Sequence, residues 1–395
     1  MPAPRQTLRV AVRRFGPFEA AIAASWESFR RAGGCPLRLE AVPLGLEELH
    51  AALLGGGGLR RGDWDAGFLV SDWLAEARGA GALLDLGPRL EADPPEGYPD
   101  AWPPSLLRLQ SFGPAVLGLP YHDGPECLVY RTDLVSRPPR TWEEFGAEAR
   151  RLSDPERRRW GTVFAGRPDG HNTVYDFCLQ LWSRGGELFG PGGEVTLATA
   201  AAEAALEGYR RLRTDPSAHP DSPRLDSVQS GEAFARGEAA LMVNWFGFAA
   251  LGQTAADSAV RGRVGVAPVP AGPGGRSVSL NVYWLLGIGS GSAHPDEAYA
   301  FLRHCAGPGA DRQLTLGGGI GCRRSTWADP AVRAALPFFG ALGELHGSAR
   351  ELPRRVRWPE LASVIDRLAS EAAAGRRPAA ELLAEAQARS AGLAG

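Results

Sequence analysis

The stretch LRVAVRRFGPFEAAIAASWESFRR, residues 8–31, places an apolar strand pattern directly before a helix pattern. Its first five residues are mostly apolar, which is typical of a strand. In the segment that follows, Phe18, Ile22 and Trp26 recur at the spacing of one helical face. The same order of strand and helix repeats twice more, so the sequence predicts an α/β fold that begins like half of a doubly wound sheet.

Further strand and helix patterns follow along the chain. Strands are expected at residues 37–42, 66–70, 116–120, 126–130, 239–243, 264–268 and 281–289. Helices are expected at residues 44–54, 72–80, 173–183, 202–212, 295–305, 359–374 and 378–391. Thr141 and Glu144 form a capping box, in which each side chain accepts a hydrogen bond from the other residue's amide. Asp329 before Pro330 predicts another helix start.

The composition limits both the architecture and the chemistry of the chain. With 395 residues it exceeds the length at which one hydrophobic core stops growing, so we expect two domains. All 43 basic residues are arginine, which excludes chemistry that depends on lysine, such as the P-loop lysine and Schiff-base catalysis. The net charge of −2 shows no basic excess, so we expect no nucleic-acid partner.

Cysteine and the N-terminal residues give only negative indications. The five cysteines are widely spaced and form no C-x-x-C motif, so we expect thiols in the core, no metal site and no cofactor. The first ten residues lack the charged and apolar segments of a secretory signal, and the longest apolar run is too short to span a bilayer. The sequence as it stands predicts a water-soluble chain.

Aromatic side chains accompany polar ones where strands end. Trp73 follows Asp72 after the third strand, and Trp245 follows Asn244 after a later one. Open α/β sheets bind ligands at the carboxyl ends of their strands. An indole beside a hydrogen-bonding group suits a sugar, because the C–H face of the sugar stacks on the ring while its hydroxyls bond the polar group. Plain packing is the alternative for each of these tryptophans.

An enzyme is the main alternative to a binding protein. Asp72, Asp123 and Glu126 are able to supply the pair of carboxyls that a glycoside hydrolase needs, although their separation cannot be read from the sequence. His122 beside Asp123 is either an acid–base pair or, in the interpretation we favour, a polar contact to a ligand. The sequence contains no G-x-S-x-G or H-E-x-x-H motif. We therefore expect no catalytic residues.

Four regions of the chain follow a known order of motifs. They are GLPY, LVYRTDL and PPRTWEEF between residues 118 and 145, SGEAFARGEAAL at 230–241, VGVAPVP at 264–270 and GIGCRRS at 319–325. In this order the chain resembles the extracellular solute-binding proteins of ABC sugar importers, the group that includes the maltose-binding protein. The resemblance covers nearly the whole chain.

This resemblance implies a two-lobe α/β fold of the periplasmic-binding-protein type II, whose lobes close by a hinge on a solute. It places residues 1–119 and 269–319 in lobe one and residues 120–268 and 320–395 in lobe two, with three chain crossings. It implies the solute-binding component of an ABC importer, which captures a carbohydrate or related polar molecule in the interlobe cleft without chemistry. The implied partners are the solute and the membrane permease subunits, and we expect a monomer.

The implied location is periplasmic or extracytoplasmic. Because no signal peptide is visible in this sequence, a cytoplasmic location is the alternative. A cytoplasmic ligand sensor is accordingly a third hypothesis beside the binding protein and the hydrolase.

The candidate ligand-binding residues come mainly from loops at which strands end. They are Arg14, Phe15, Asp72, Trp73, His122, Asp123, His171, Tyr175, Trp245, Tyr283, Trp284, Arg323 and Arg324. We expect the tryptophans to stack on the solute and the polar members to bond its hydroxyl or carboxylate groups. Arg13 and Arg14 would favour an acidic solute through bidentate contacts, unless they belong to an ordinary solvated loop.

Overall fold

The computed structural model of the chain describes residues 6–33, 35–375 and 377–393. It divides the chain into two units. Unit 1 comprises the residues up to Gly124 together with Val282–Gly340, and unit 2 comprises Pro125–Asn281 together with the residues from Ala341 onward. Each unit combines its own β-sheet with helices, which confirms the α/β class.

Strands and helices alternate along most of the chain. The strands of the described residues are β1 (Thr7–Arg13), β2 (Arg38–Leu44), β3 (Ala66–Val70), β4 (Ser111–Phe112), β5 (Ala115–Val116), β6 (Leu119–His122), β7 (Glu126–Arg131), β8 (Trp160–Thr162), β9 (Ala239–Trp245), β10 (Val264–Ala267), β11 (Ser279–Leu280), β12 (Trp284–Ile288) and β13 (Ala349–Arg350). The α-helices of the described residues are α1 (Gly16–Arg31), α2 (Leu46–His50), α3 (Gly58–Arg61), α4 (Leu74–Gly79), α5 (Gly87–Ala92), α6 (Pro104–Leu109), α7 (Trp142–Leu152), α8 (Asn172–Trp182), α9 (Ala200–Thr214), α10 (Ser227–Ala235), α11 (Phe246–Thr254), α12 (Pro295–Cys305), α13 (Pro308–Leu316), α14 (Arg324–Ala328), α15 (Pro330–Ala335), α16 (Leu342–Ser348), α17 (Trp358–Ala373) and α18 (Ala379–Arg389).

The sheet of unit 1 has the strand order β2-β1-β3-β12-β6. β1 pairs in parallel with β2 and β3, whereas β12 runs antiparallel to β3 and β6. Leu8, Val10 and Phe68 are completely buried in this sheet, and Phe18 and Ile22 of α1 are buried as well. The apolar stripe predicted for α1 is therefore the face that the helix buries.

The sheet of unit 2 has the strand order β10-β7-β9-β8. β7 is antiparallel to β9 and β10, and β8 is parallel to β9. α7 passes so close to β8 that a Cβ atom on Gly161 would lie 1.8 Å from the carbonyl oxygen of Ala149, so only glycine fits at this point of the strand. Phe145 of α7 and Phe177 of α8 are completely buried in this unit.

Most predicted elements match the structure, with shifts where local geometry intervenes. β3 and α12 have the predicted bounds. The helix predicted at 44–54 is shorter, because α2 passes into a π-helical turn at Ala51–Gly55. The strand predicted at 116–120 is displaced toward the C-terminus, since β6 covers Leu119–His122 and pairs there with β12.

One half of the predicted capping box is present at α7. The Thr141 hydroxyl accepts a hydrogen bond from the Glu144 backbone N–H at 3.1 Å, as predicted. The Glu144 carboxylate accepts from the backbone N–H of Arg140 at 2.7 Å, not from that of Thr141. The prediction of the reciprocal bond was therefore wrong by one residue, although the helix begins where the motif places it. At α15, Asp329 caps the helix before Pro330 as expected.

The unit boundaries lie further along the chain than the sequence-based lobe boundaries at 119, 268 and 319. β6 stays in the sheet of unit 1 through His122, so the first change of unit follows Gly124. β11 pairs with β13 inside unit 2, which keeps the chain there through Asn281. Pairings between residues this distant in sequence have no local signal, and the lobe boundaries stay a prediction.

Candidate ligand-binding site

The sheet of unit 1 brings several strand ends to one edge. β1, β3 and β6 end there, and β12 begins there with Trp284. The pairing register sets Trp284 opposite both Val70, the last residue of β3, and His122, the last residue of β6. The residues that follow these strands therefore emerge near Trp284, where the sequence predicts ligand contacts.

Aromatic rings pack edge to face around Trp284. Its ring centroid lies 6.0 Å from that of Phe18 and 6.2 Å from that of Trp73. The His122 ring lies 4.7 Å from Phe18, and Phe15 lies 5.1 Å from Phe18. We call Phe18, Trp73, His122 and Trp284 the Trp284 cluster. Trp284 and Phe15 are half-buried, whereas the other rings are buried, so those two offer the accessible aromatic surface.

His122 is held as a neutral ring. Its Nδ1 accepts a hydrogen bond from the backbone N–H of Ile320 at 2.9 Å, so the proton of the neutral imidazole lies on Nε2. Burial lowers the pKa of His122 to about 3, and the adjacent Asp123 offsets only part of that shift. Near neutral pH the ring therefore carries one N–H donor and no charge, which suits the oxygen of a neutral hydroxyl.

Two carboxyl groups are adjacent in sequence to members of this cluster, Asp72 before Trp73 and Asp123 after His122. Asp72 occupies a 3-10 turn, Ser71–Trp73, and is half-buried. Asp123 directly follows His122, is 1% exposed, and donates its backbone N–H to the carbonyl of Ile320 at 2.9 Å. Both sequence-predicted carboxyls thus lie next to members of the Trp284 cluster, and carboxylates accept hydrogen bonds from hydroxyls.

The arginine pair of the first loop carries less uncompensated charge than the sequence suggests. Arg14 is exposed, and its Nη2 donates to the Glu48 carboxylate at 3.0 Å. The Gly45 backbone N–H and then Arg14 lower the pKa of Glu48, which keeps that carboxylate ionised. Arg13 is buried at the end of β1. The pairing with Glu48 removes the argument for an acidic solute that rested on Arg14.

Tyr283 is a structural residue of unit 1. Its hydroxyl donates to the backbone carbonyl of Leu106 at 2.5 Å, and its side chain is 1% exposed. Its own carbonyl accepts the backbone N–H of Ser71 at 3.0 Å and thereby fixes the turn that carries Asp72. That Tyr283 contacts the solute stays a prediction, and its hydroxyl, already bonded inside the unit, argues against a polar contact.

The two arginines at the start of α14 also belong to the fold. Arg323 is 4% exposed and donates to the carbonyls of Ala306 at 2.9 Å and Glu96 at 2.8 Å. Its guanidinium lies 4.5 Å from the centroid of the Trp102 ring. Arg324 is exposed and donates to the Trp102 carbonyl at 3.4 Å. Their role as ligand contacts stays a prediction, which the buried and bonded Arg323 supports less than the exposed Arg324 does.

In unit 2, β9 ends at Trp245 beside the start of α8. The Trp245 indole N–H donates to the Asn172 side-chain oxygen at 3.2 Å, and its ring lies 5.7 Å edge to face from Tyr175. The Tyr175 ring lies 5.8 Å from that of His171. We call His171, Asn172, Tyr175 and Trp245 the Trp245 cluster. The structure thus brings together all three candidate residues of unit 2, with Trp245 and His171 half-buried.

Buried carboxyl groups lie next to the Trp245 cluster. Glu126 pairs with Trp245 across β7 and β9 and is 2% exposed. Asp176 follows Tyr175 on α8 and forms an ion pair with Arg213. Burial raises the pKa of Glu126 well above its usual value, and Asp176 adds to that shift. Burial also raises the pKa of Asp176 to about 6, although Arg213 opposes the change.

Two further acidic residues hold the first turn of α8. Asp169 accepts the backbone N–H of His171 at 3.0 Å, and the Thr173 hydroxyl donates to Asp366 of α17. Burial raises the pKa of Asp366, and Asp169 contributes in the same direction. These bonds fix the turn that carries His171 and Asn172, two members of the Trp245 cluster.

The carboxyls of the hydrolase hypothesis belong to different units. Asp72 and Asp123 lie in unit 1, and Glu126 lies in unit 2 beside Asp176. Among residues 6–33, 35–375 and 377–393, no three side chains form a group suited to hold a metal ion. None of the helices in that part of the chain is both long and apolar enough to cross a bilayer.

The sequence analysis does not single out Asn172 or Phe18 as parts of the site. Asn172 lies one residue before the predicted start of α8, and its position beside His171 is the only local signal for it. Phe18 is predicted as core, which the structure confirms, but its contacts with His122 and Trp284 depend on the sheet order.

A family comparison identifies the class of protein that this fold and these clusters represent. The model of the bacterial extracellular solute-binding protein family matches residues 45–312. The chain belongs to that family.

Particular relatives support the same assignment. A Deinococcus radiodurans protein named "Probable ABC transporter-binding protein" is 27% identical over 279 residues, which are 68% of this chain and 66% of that protein. The chain thus spans just under two thirds of this curated relative. Maltose-bound MalE3 of T. maritima superposes with a TM-score of 0.88 at 24% identity, over 98% of this chain and 99% of the other.

A second solved structure has the same fold. It is the ribitol complex of an ABC transporter solute-binding protein from Agrobacterium radiobacter, with a TM-score of 0.87 at 23% identity over 98% of both chains. At these identities the two structures establish the fold, which is the predicted α/β type II fold of solute-binding proteins.

Proposed function

We propose that the chain is the solute-binding component of an ABC importer and binds a carbohydrate or related polyol without altering it. The observation that carries this proposal is the Trp245 cluster. The indole of Trp245 is half-buried, oriented by the hydrogen bond to Asn172 and braced by the edge of Tyr175. An oriented ring with polar neighbours has the two elements that sugar recognition needs, an apolar stacking face and hydrogen-bonding groups.

The Trp284 cluster supplies the same elements in unit 1. Trp284 is the accessible stacking ring, and Trp73 is the buried ring that braces it. His122 donates from Nε2, while Asp72 and Asp123 accept from hydroxyls. Phe15 adds apolar surface beside this cluster. The prediction that one solute contacts both units stays a prediction, which the double variant described below tests.

A carbohydrate or polyol is the solute class that these groups favour. The donor at His122 is uncharged, and the cation at Arg14 is paired with Glu48, so little at the Trp284 cluster selects for a negative charge. Relatives of the same fold have been solved with maltose and with ribitol. Recognition by rings and hydroxyl-bonding groups is compatible with either kind of molecule.

The placement of the carboxyl groups supports binding without chemistry. A hydrolase needs one carboxyl that donates a proton to the scissile bond and a second that acts on the opposite face. Glu126 of unit 2 is 2% exposed and Asp123 of unit 1 is 1% exposed, so of the three candidate carboxyls only the half-buried Asp72 presents accessible surface. We therefore assign no catalytic residue. An importer role implies permease subunits as partners and an extracytoplasmic location, and we expect a monomer.

A ligand screen with product analysis tests this function. The purified chain is titrated calorimetrically with maltose, ribitol and a wider panel of sugars and polyols, and the solute is recovered and analysed after prolonged incubation. We expect saturable one-to-one binding of at least one member, recovered intact. Release of reducing ends would support the hydrolase hypothesis, and absence of any binding across the panel would contradict the proposed function.

A further inference from the structure

Unit 2 contains a cavity that shares no residue with the Trp245 cluster. It has a volume of about 540 Å³ and lies between α7 and α9, above the end of β8. Its lining includes Trp142 and Phe145 from α7, Arg211 from α9 and Thr162 from β8. The proposed solute site gives this cavity no role.

Small residues at the helix interface create the space. Gly146 and Ala149 of α7 and Gly208 of α9 all line the cavity. A Cβ atom on Gly146 would come no closer than 3.6 Å to Arg150 and 3.9 Å to Leu212, so a methyl group fits there and longer side chains would extend toward the cavity. The missing side chain at Gly146 therefore contributes to the volume of the cavity.

The lining carries a surplus of positive charge. It holds the arginines Arg150, Arg184 and Arg211 and the acidic residues Glu143 and Asp215. Arg150 and Asp215 form an ion pair at 2.8 Å. Within the described part of the chain, neither Arg184 nor Arg211 makes an ion pair with a carboxylate. Beyond that ion pair the lining holds two arginines and one carboxylate, Glu143, which leaves a surplus of one positive charge.

Arg184 is positioned by its neighbours to face a ligand. Its Nη1 donates to the backbone carbonyl of Gln180 at 2.9 Å and to the Gln180 side-chain oxygen at 2.6 Å. The guanidinium lies against Gly208, where an added Cβ would approach its Nη2 to 2.3 Å. Burial, and then repulsion from Arg211, lower the pKa of Arg184 to about 10. An anion between the two guanidinium groups would relieve that repulsion.

Thr162 provides a second, independent indication of a ligand. Its side chain is 2% exposed and lines the cavity, yet its hydroxyl has no hydrogen-bond partner in the described structure. Its backbone is fully engaged, since its N–H donates to Ser217 and its carbonyl accepts from His219. Buried hydroxyls are normally bonded, so this one indicates a partner that the polypeptide does not supply.

We propose that this cavity is a second ligand site, which binds a small molecule bearing a carboxylate or phosphate group. Arg184 and Arg211 contact the oxyanion, because guanidinium groups match the geometry of planar and tetrahedral oxyanions. The Thr162 hydroxyl donates to the same group or to a neighbouring oxygen of the molecule. Trp142 and Phe145 provide the apolar wall. The site is independent of the solute site and goes beyond the proposed function.

Calorimetric titration of the full chain with inorganic phosphate and with citrate tests the site, at an ionic strength held constant with sodium chloride. We expect saturable binding of at least one probe; phosphate alone would assign a phosphate group, and citrate alone a carboxylate. Arg211→Gln should weaken that binding about tenfold or more, the loss of one charge-assisted bond. Arg137→Gln is the matched control, since Arg137 is exposed and lies outside the cavity lining.

Three further variants separate binding from folding. Gly146→Leu should abolish anion binding by filling the cavity, whereas Gly146→Ala should retain it and remain folded. Thr162→Val should raise the midpoint of thermal unfolding without the anion and reduce the increase that the anion produces. Binding of neither probe, or equal weakening by Arg211→Gln and Arg137→Gln, would overturn the site. The affinity for the sugar should not change in Arg211→Gln. A failure of the anion site is therefore distinguishable from a failure of the proposed function.

Discussion

The Trp284 cluster of unit 1 and the Trp245 cluster of unit 2 have similar aromatic surfaces, but the pKa values of the titratable groups beside them are shifted in opposite directions. Each contains a half-buried indole at the end of a sheet, braced edge to face by a buried aromatic ring. In unit 1 the buried titratable group is His122, whose pKa is lowered to about 3. In unit 2 the buried titratable groups are Glu126 and Asp176, whose pKa values are raised.

Burial is the common cause of these opposite shifts. It disfavours the charged form of each group, so the histidine stays neutral down to a lower pH, and the carboxyls stay neutral up to a higher pH, than in water. Each cluster therefore lies beside a titratable group that stays neutral over a wider pH range than the same group in water. An uncharged polar group can thus come from a base whose pKa is lowered or from an acid whose pKa is raised. Because the two shifts change stability with pH in opposite directions, pH separates the contributions of the two regions.

The largest effect is expected from removing both accessible indoles. Trp245→Ala and Trp284→Ala should each weaken sugar binding by about 1–3 kcal/mol, since each removes a stacking face. The double variant should lose roughly 2–6 kcal/mol if the two rings contact separate faces of one solute. Isothermal titration calorimetry measures all three affinities.

Trp160→Ala is the control for this prediction, because Trp160 is a half-buried tryptophan of unit 2 that packs on His219 outside the cluster. It should leave the affinity unchanged. An unchanged affinity in Trp245→Ala would show that this ring only packs. A double variant no weaker than the worse single variant would show that only one unit contacts the solute.

The second effect is the pH dependence of the free energy of unfolding that His122 causes. The unfolded chain takes up a proton near pH 6.5, whereas the native ring takes one up only near pH 3. The stability contribution of the neutral ring is therefore complete above pH 6.5 and is lost as the pH falls, by about 1.4 kcal/mol per pH unit. His122→Asn should remove this slope, because its side-chain oxygen is able to accept the Ile320 N–H but does not titrate.

Denaturant unfolding at several pH values between 3 and 7 measures this slope. The free energy of unfolding of the wild type should converge toward that of His122→Asn, or fall below it, as the pH decreases. Parallel curves for the two proteins would show that His122 titrates normally in the native state.

Glu126 should show the opposite sign in unit 2. Its native pKa lies above the usual 4.5, so its contribution is complete below pH 4.5 and is lost as the pH rises toward the raised value. Glu126→Gln has the shape of the protonated side chain and cannot ionise. The variant should gain stability relative to the wild type as the pH rises, by at most about 1.4 kcal/mol per pH unit. A difference independent of pH would contradict the assigned shift.

The smallest effect is expected at the rim of unit 1. Arg14 is exposed and paired with Glu48, so Arg14→Gln should leave the affinity for a neutral sugar unchanged. Comparison of a uronate with its neutral parent sugar checks whether charge is recognised at this loop. A clear preference of the wild type for the uronate, lost in Arg14→Gln, would restore the acidic-solute hypothesis.

Local patterns predicted the elements but not the contacts between them. The stripe of Phe18, Ile22 and Trp26 identified α1, and Thr141 identified the start of α7. Each of these two signals is contained within a few neighbouring residues of the sequence. Trp245 and Tyr175 were each predicted as site residues, yet their contact joins α8 to the end of β9 across some 70 residues of sequence.

Arg323 and Tyr283 show the same limit of local patterns. Arg323 follows a glycine-rich stretch and has the side chain of a ligand-binding residue, but the carbonyls of Ala306 and Glu96 that engage it are brought there by the fold. Tyr283 is adjacent to Trp284, and the alternation of side chains along an extended chain sends the two rings to different surroundings. Only the position of Leu106 shows that the Tyr283 hydroxyl is occupied.

The most direct test of the central claim is to follow the indole N–H signals of the 11 tryptophans by NMR while a binding sugar is added. The Trp245 and Trp284 signals are assigned with the variants Trp245→Phe and Trp284→Phe. We predict that both signals shift with one common midpoint, equal to the calorimetric dissociation constant. Shifts confined to other tryptophans, with Trp245 and Trp284 unmoved at saturation, would contradict the account.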